Sequence, residues 1–234
     1  MWNEMESTSE SIVRLYIGFT GPDGNAEPSP EIKSVIKSDE RFFSDFMAYL
    51  ISLLGVAMCL EAARSGSSSA YRVDDAISIG SRLSPARWIW KPNSAISDIG
   101  SNSLPYELRL ERQPYLADES PPGELPLGSL EAMLYCYGQA LGTNYFERNR
   151  ARIQSRYGDQ KNWPDVWRFA VVVRNAMAHG GAVYFNRQDA PPVVWKSVTY
   201  SPTDNGKRLL HHDLWPGDLM DLILEMDQAI SDNN

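Results

Sequence analysis

Along its length the chain switches between two hydrophobic periods. Over residues 12–19, Val13, Leu15, Ile17 and Phe19 alternate with other residues, the period of a half-buried strand. "GPDGNAEPSP" then breaks the pattern. Ser38 is a candidate helix cap followed by Asp39 and Glu40, the charges that a helix N-terminus favours. Phe42, Phe46, Leu50, Leu53, Ala57 and Leu60 follow at three- and four-residue steps, which predicts a long core helix over 38–66. Residues 67–127 are rich in Ser, Pro and Gly and read as an irregular insert. Within it, "RWIWK" (87–91) and "YELRL" (106–110) have strand character, and Trp88 and Trp90 are expected to pack the insert onto the core.

Helical spacing returns at Ser129 with Leu130, Leu134, Tyr137 and Leu141, where Gly138 and Gly142 permit close helix approach. This helix or its continuation turns basic, with Arg148, Arg152 and Arg156 at four-residue steps on one face. A third helix begins near Trp163, Pro164 and Asp165 and runs to Gly180. "VVWKSVTY" (193–200) and "KRLLHH" (207–212), separated by an Asn-Gly turn signal, read as a hairpin. A last helix follows Pro216 and Gly217, with Leu219, Leu222, Ile223, Met226 and Ile230 on its apolar side. The expected architecture is therefore mainly α: a single domain of helices with a small β-hairpin decoration and an irregular insert.

Composition narrows the partners. A chain of 234 residues with 43% hydrophobic residues can bury a full core. Its net charge of -8 works against loose attachment to a polyanion, so nucleic-acid binding needs a local basic surface. Cys59 and Cys136 are too few for a disulfide framework or a cysteine zinc site. The acidic start "MWNEMESTSES" lacks the features of a signal peptide, and the apolar run from Phe46 is short for a membrane span. The expectation is a cytoplasmic protein without membrane attachment. His211 and His212 are neighbours that a strand would point to opposite faces, so they do not suggest a shared metal ion. The sequence offers no sign of a cofactor: no glycine-rich phosphate loop, serine elbow or paired carboxylates stand out.

The third helix holds the concentration of chemistry. At about 100° per residue, Val166, Phe169, Ala170, Val173 and Met177 share one apolar stripe, while Asn175 and His179 lie together on the opposite side with Arg174 at its border. Three readings are open: a catalytic pair, a polar patch for a partner, or a hydrogen-bond network that holds the helix end. "RNAMAH", from Arg174 to His179, followed by Gly180 and Gly181, resembles the Arg-X4-6-His motif of the HEPN (higher eukaryotes and prokaryotes nucleotide-binding) superfamily. The likeness covers about residues 129–230. It implies a HEPN-like helical bundle that pairs as a homodimer and acts as a metal-independent endoribonuclease, in the manner of toxins and phage-defence effectors. A neighbouring antitoxin or sensor protein would be a further partner.

Carried over, Arg174 and His179 become the catalytic pair and Asn175 an orienting group. Attack by an RNA 2′-hydroxyl needs a proton shuttle near neutral pH and a cation at the phosphate, roles that histidine and arginine fill. Arg148, Arg152 and Arg156 would guide the RNA backbone, against the plainer reading of a solvated, ion-paired face. The family's toxin branch often carries a Tyr two residues after the His, where this chain has Gly181 and only later Tyr184. The rival function is a catalytically silent HEPN-like module that binds a partner or closes a dimer.

Overall fold

A computed structural model describes residues 12–17, 32–65, 75–84, 86–114, 129–210 and 212–231. Five helices and seven strands alternate along these segments, and the long helices coincide closely with the periodic stretches of the sequence. They are α1 (Phe43–Ser65), α2 (Asn93–Gly100), α3 (Ser129–Tyr157), α4 (Asp165–Ala178) and α5 (Pro216–Ser231). The strands are β1 (Ile12–Ile17), β2 (Ile32–Lys37), β3 (Asp75–Gly80), β4 (Ala86–Trp90), β5 (Glu107–Pro114), β6 (Val193–Trp195) and β7 (Val198–Tyr200).

The first five strands overturn the expectation of a helical bundle with a hairpin decoration. They form one sheet in the order β1-β3-β4-β5-β2, with β1 parallel to β3 and the other pairs antiparallel. The chain is mixed α/β. The region read as an irregular insert supplies β3, β4, α2 and β5, the centre of that sheet. Its side chains explain the pairing. On β5, Leu108 and Leu110 are buried while Glu107 and Arg109 point outward, so one face seeks a core. On β4 all five residues are buried, so that strand is covered on both faces and shows no clean alternation. Ile36 of β2 pairs with Leu108, and Trp90 of β4 pairs with both Leu110 and Ile77, which extends the apolar face across the sheet. Trp88 and Trp90 do pack into the core, as their sequence context suggested.

The second correction concerns the hairpin. "VVWKSVTY" is itself the two-stranded ladder, turning at Lys196 and Ser197, with Trp195 opposite Val198. The Asn-Gly signal at Asn205 and Gly206 instead follows a short 3-10 turn, Pro202–Asp204, closed by a Ser201–Asp204 capping box. Lys196 takes a left-handed φ of 51°, a conformation that a two-residue turn demands but that only Gly, Asn and Asp adopt readily.

Four helices pack beside the sheet: α3 touches α1, α4 and α5, and α4 also touches α5. α3 runs unbroken through its two glycines. A Cβ at Gly142 would stand 2.7 Å from Met177 Cε of α4, and one at Gly138 would stand 3.0 Å from Leu219 Cδ1 of α5. The small residues therefore set how closely the helices approach. α5 meets the sheet at the turn after β3, where a Cβ at Gly217 would lie 2.4 Å from Ser81 Oγ and 2.7 Å from the Gly80 carbonyl oxygen.

That junction is held by buried carboxylates. Asp218 accepts the backbone N–H groups of Arg82, Leu83 and Trp215 at 2.8 to 2.9 Å. Burial pushes its carboxyl up to about 6, against the opposing pull of those three donors. One turn on, Asp221 accepts Ser84 Oγ at 2.9 Å, Trp88 Nε1 at 3.0 Å, Lys196 Nζ at 3.2 Å and Arg112 at 3.3 Å. Sheet, hairpin and α5 thus meet on one side chain.

Candidate functional site

The end of α4 is terminated by its own sequence. Gly180 and Gly181 take φ of 69° and 85°, and the Gly181 N–H donates to the Ala176 carbonyl at 2.8 Å, the 6→1 bond of a Schellman closure. Tyr135 of α3 donates its hydroxyl to the Met177 carbonyl, satisfying another free acceptor of the last turn. His179 stands at the C-cap, on the rim of this turn.

The helical wheel read from the sequence holds. Phe169, Ala170, Val173 and Met177 are buried, with Trp167, Val172 and Ala176 beside them. Val166 is only partly buried. The other side carries His179 exposed and Arg174 and Asn175 half-buried. The imidazole of His179 lies against Tyr184, ring centroids 4.0 Å apart and planes 33° from parallel. Its nitrogens bond no described residue, which leaves both for a ligand.

Arg174 is not free. Its Nε and Nη2 both lie 2.8 Å from Glu147 Oε1 of α3, and its Nη1 lies 3.4 Å from Asn175 Oδ1. Both side chains of the ion pair are 38% exposed, so it ranks with surface pairs worth about 0–1 kcal/mol. A phosphodiester, with two non-bridging oxygens and one negative charge, presents the same kind of two-acceptor edge to a guanidinium fork. The structure therefore brings together Arg174, Asn175 and His179 on one helix, and adds two residues that sequence reasoning did not place there, Glu147 and Tyr184. The sequence gives no signal for Glu147, because its pairing crosses between helices. Tyr184 was visible only as an aromatic five residues beyond the histidine, where the glycine turn folds it back.

The predicted guiding stripe takes other work. Arg148 makes a two-pronged ion pair with Asp45, a buried residue of α1, and also donates to the Arg41 carbonyl. Burial raises the Asp45 carboxyl, while Arg148 pulls it back down. Arg156 donates to the Ile230 and Ala229 carbonyls at the C-terminal end of α5, where a cation suits the helix dipole. Of the three, only Arg152 is exposed without an ion pair to a described residue. The stripe runs along the side of α3 that faces α1 and α5, away from α4.

Two other clusters of reactive side chains are engaged in structure. Ser84 Oγ accepts from Lys196 Nζ at 2.6 Å, a spacing that would suit a serine nucleophile and its base. Yet the ammonium is shared between Asp221 at 3.2 Å and Glu225 at 3.5 Å, and Ser84 itself donates to Asp221. An ammonium locked between carboxylates does not take a proton from serine. His212 Nδ1 lies 2.8 Å from Asp213, which also accepts the Tyr200 hydroxyl. His211 lies outside the described residues. No group of His, Cys, Asp and Glu with the arrangement of a metal site occurs among the described residues, and no described helix is long and apolar enough to cross a membrane. No family model matches the chain, and no curated protein or solved structure is significantly similar to it.

Proposed function

We propose that the chain is a metal-independent endoribonuclease whose reaction centre is built on Arg174, Asn175 and His179. The observation that carries this reading is the state of His179: exposed, braced by the Tyr184 ring, and with both nitrogens unclaimed by described residues. A buried histidine that held the helix end would spend at least one nitrogen on its surroundings, whereas this one presents both to solvent or a ligand. The neighbouring guanidinium, on the same helix and held by a half-exposed carboxylate and the Asn175 amide oxygen, supplies the positive charge that a phosphorane-like transition state requires.

In the proposed reaction the 2′-oxygen attacks the adjacent phosphorus and the P–O5′ bond breaks. A base removes the 2′-hydroxyl proton, an acid protonates O5′, and the products are a 2′,3′-cyclic phosphate and a 5′-hydroxyl. A single imidazole performs one of these transfers. A second copy of the chain, related by a two-fold axis beside α4, would supply the other, which is why a homodimer belongs to the proposal. The HEPN resemblance supports it at the level of the motif and of the helix end that bears it. The proposed place of action is the cytoplasm, where Cys59 and Cys136, both free and exposed, stay reduced. Regulation by an antitoxin or sensor protein belongs to the same reading.

A silent, partner-binding module is the second reading, favoured by one observation: Arg174 is already neutralised by Glu147. Cleavage of a mixed-sequence labelled RNA panel in EDTA separates the two. The proposal expects wild type to cut while folded His179→Ala and Arg174→Ala are silent. Equal inertness of all three, as a dimer or in complex with a copurifying protein, would favour the module instead.

A further inference from the structure

α3 and α4 run antiparallel. Tyr135 meets Met177 near the C-terminal end of α4, Glu147 meets Arg174 further along, and Phe146 packs on Trp163 and Trp167 at its start. The next turn of α3 beyond Glu147 therefore continues along α4 toward its N-terminus. The residue it places there is Arg150, three positions after Glu147 and about 60° around the helix from it, on the α4 side. Arg152 is two residues on, turned about 160° away, on the side where Arg148 and Arg156 bind α1 and α5. Arg150 is exposed and pairs with no described residue.

The α3–α4 seam thus carries, in order, Arg150, Glu147, Arg174, Asn175 and His179. Arg174 is covered by the Glu147 carboxylate, which sits on the guanidinium edge that binds phosphate in other contexts, and Arg150 follows one turn further along α3 without a described partner. We propose that Arg174 and Arg150 form a phosphodiester-binding track for single-stranded RNA, in which Glu147 occupies the first phosphate position until the RNA displaces it. The track rests on the ribonuclease reading for its ligand. It relocates the RNA contact from the stripe Arg148, Arg152 and Arg156 to the opposite flank of α3.

The test is fluorescence polarisation of a 5′-labelled 12-nucleotide RNA, fully 2′-O-methylated to block cleavage, in EDTA over a range of salt. Removing the resident carboxylate in Glu147→Gln frees the Arg174 guanidinium, and affinity rises about three- to tenfold. Arg150→Glu loses about tenfold or more, Arg150→Ala lowers the salt slope by about one, and Arg152→Glu stays within about twofold of wild type. Equal losses in Arg150→Glu and Arg152→Glu, or no gain in Glu147→Gln, overturn the track. The same variants are assayed for cleavage of unmodified RNA. His179-dependent cleavage that ignores Arg150 and Glu147 overturns the track and leaves catalysis standing. Binding that follows the predicted order, from a protein that never cuts, overturns catalysis and leaves the track. No binding by any variant overturns the track; the His179-dependent cleavage assay then decides the catalytic reading by itself.

Discussion

Gly217→Ala is a perturbation whose cost follows from the packing of α5 on the sheet. The added Cβ would meet the Gly80 carbonyl oxygen at 2.7 Å and its carbon at 2.8 Å, backbone atoms that no rotamer change can move. α5 must therefore retreat by at least about half an ångström to reach ordinary contact distance. Asp218, the next residue, holds the N–H groups of Arg82 and Leu83 at 2.8 and 2.9 Å, and that retreat stretches both beyond good hydrogen-bond length. Overpacking costs about 1–3 kcal/mol, and each weakened buried bond to the carboxyl adds about 1 kcal/mol. Helix propensity returns up to about 1 kcal/mol when Gly becomes Ala, so the net loss is about 2–4 kcal/mol. The matched control is Gly55→Ala in α1, where nothing lies within 4 Å of the new Cβ and propensity alone predicts a gain of about 0.5–1 kcal/mol. Urea unfolding of the two variants beside wild type reads both values at constant slope. Gly217→Ala as stable as wild type, with Gly55→Ala stabilised, would refute the close approach of α5 to β3.

Three further outcomes follow from the same contacts. Asp218 is raised from 3.8 to about 6 by burial, so its stabilising protonated form is complete below about pH 4 and is lost as pH rises through 6; urea unfolding should show about 3 kcal/mol of decline across that window in wild type that Asp218→Asn lacks. Arg148→Ala strands the buried Asp45 carboxylate and should cost about 2 kcal/mol by thermal unfolding while RNA affinity of the folded protein stays within about twofold, whereas a tenfold loss of affinity with unchanged stability would restore the guiding role. Tyr184→Phe should keep the ring-current shift of the His179 imidazole protons in NMR and retain cleavage, while Tyr184→Ala loses both; unchanged His179 shifts in Tyr184→Ala would remove the stack from the account.

The helices were legible because each buries one face at a constant period. Phe169, Ala170, Val173 and Met177 sit where the wheel of α4 puts them, and the glycine pair ends that helix as its chemistry requires. The sheet was not legible. Its strands are five to eight residues long, β4 is buried on both faces, and β2 finds its partner β5 seventy to eighty residues away. Local period marks such segments as strands without saying which of them pair, so the central strands passed for an insert.

The candidate site divides the same way. Asn175 and His179 share a face by i,i+4 spacing alone, which sequence supplies. The engagement of Arg174 by Glu147, and of Arg148 by Asp45, depends on how α3 lies between α1 and α4, which it does not. A row of arginines at four-residue steps looks the same in sequence whether it faces solvent or clamps two neighbouring helices.

The central claim is that His179 moves a proton in a transesterification at phosphorus. An all-ribo oligonucleotide and its 2′-O-methyl counterpart, incubated in EDTA with wild type and with His179→Ala, test it most directly. The account predicts that wild type cuts only the all-ribo strand and leaves 2′,3′-cyclic phosphate ends, while His179→Ala cuts neither. Cleavage of the 2′-O-methyl strand, or undiminished cleavage by folded His179→Ala, would contradict it.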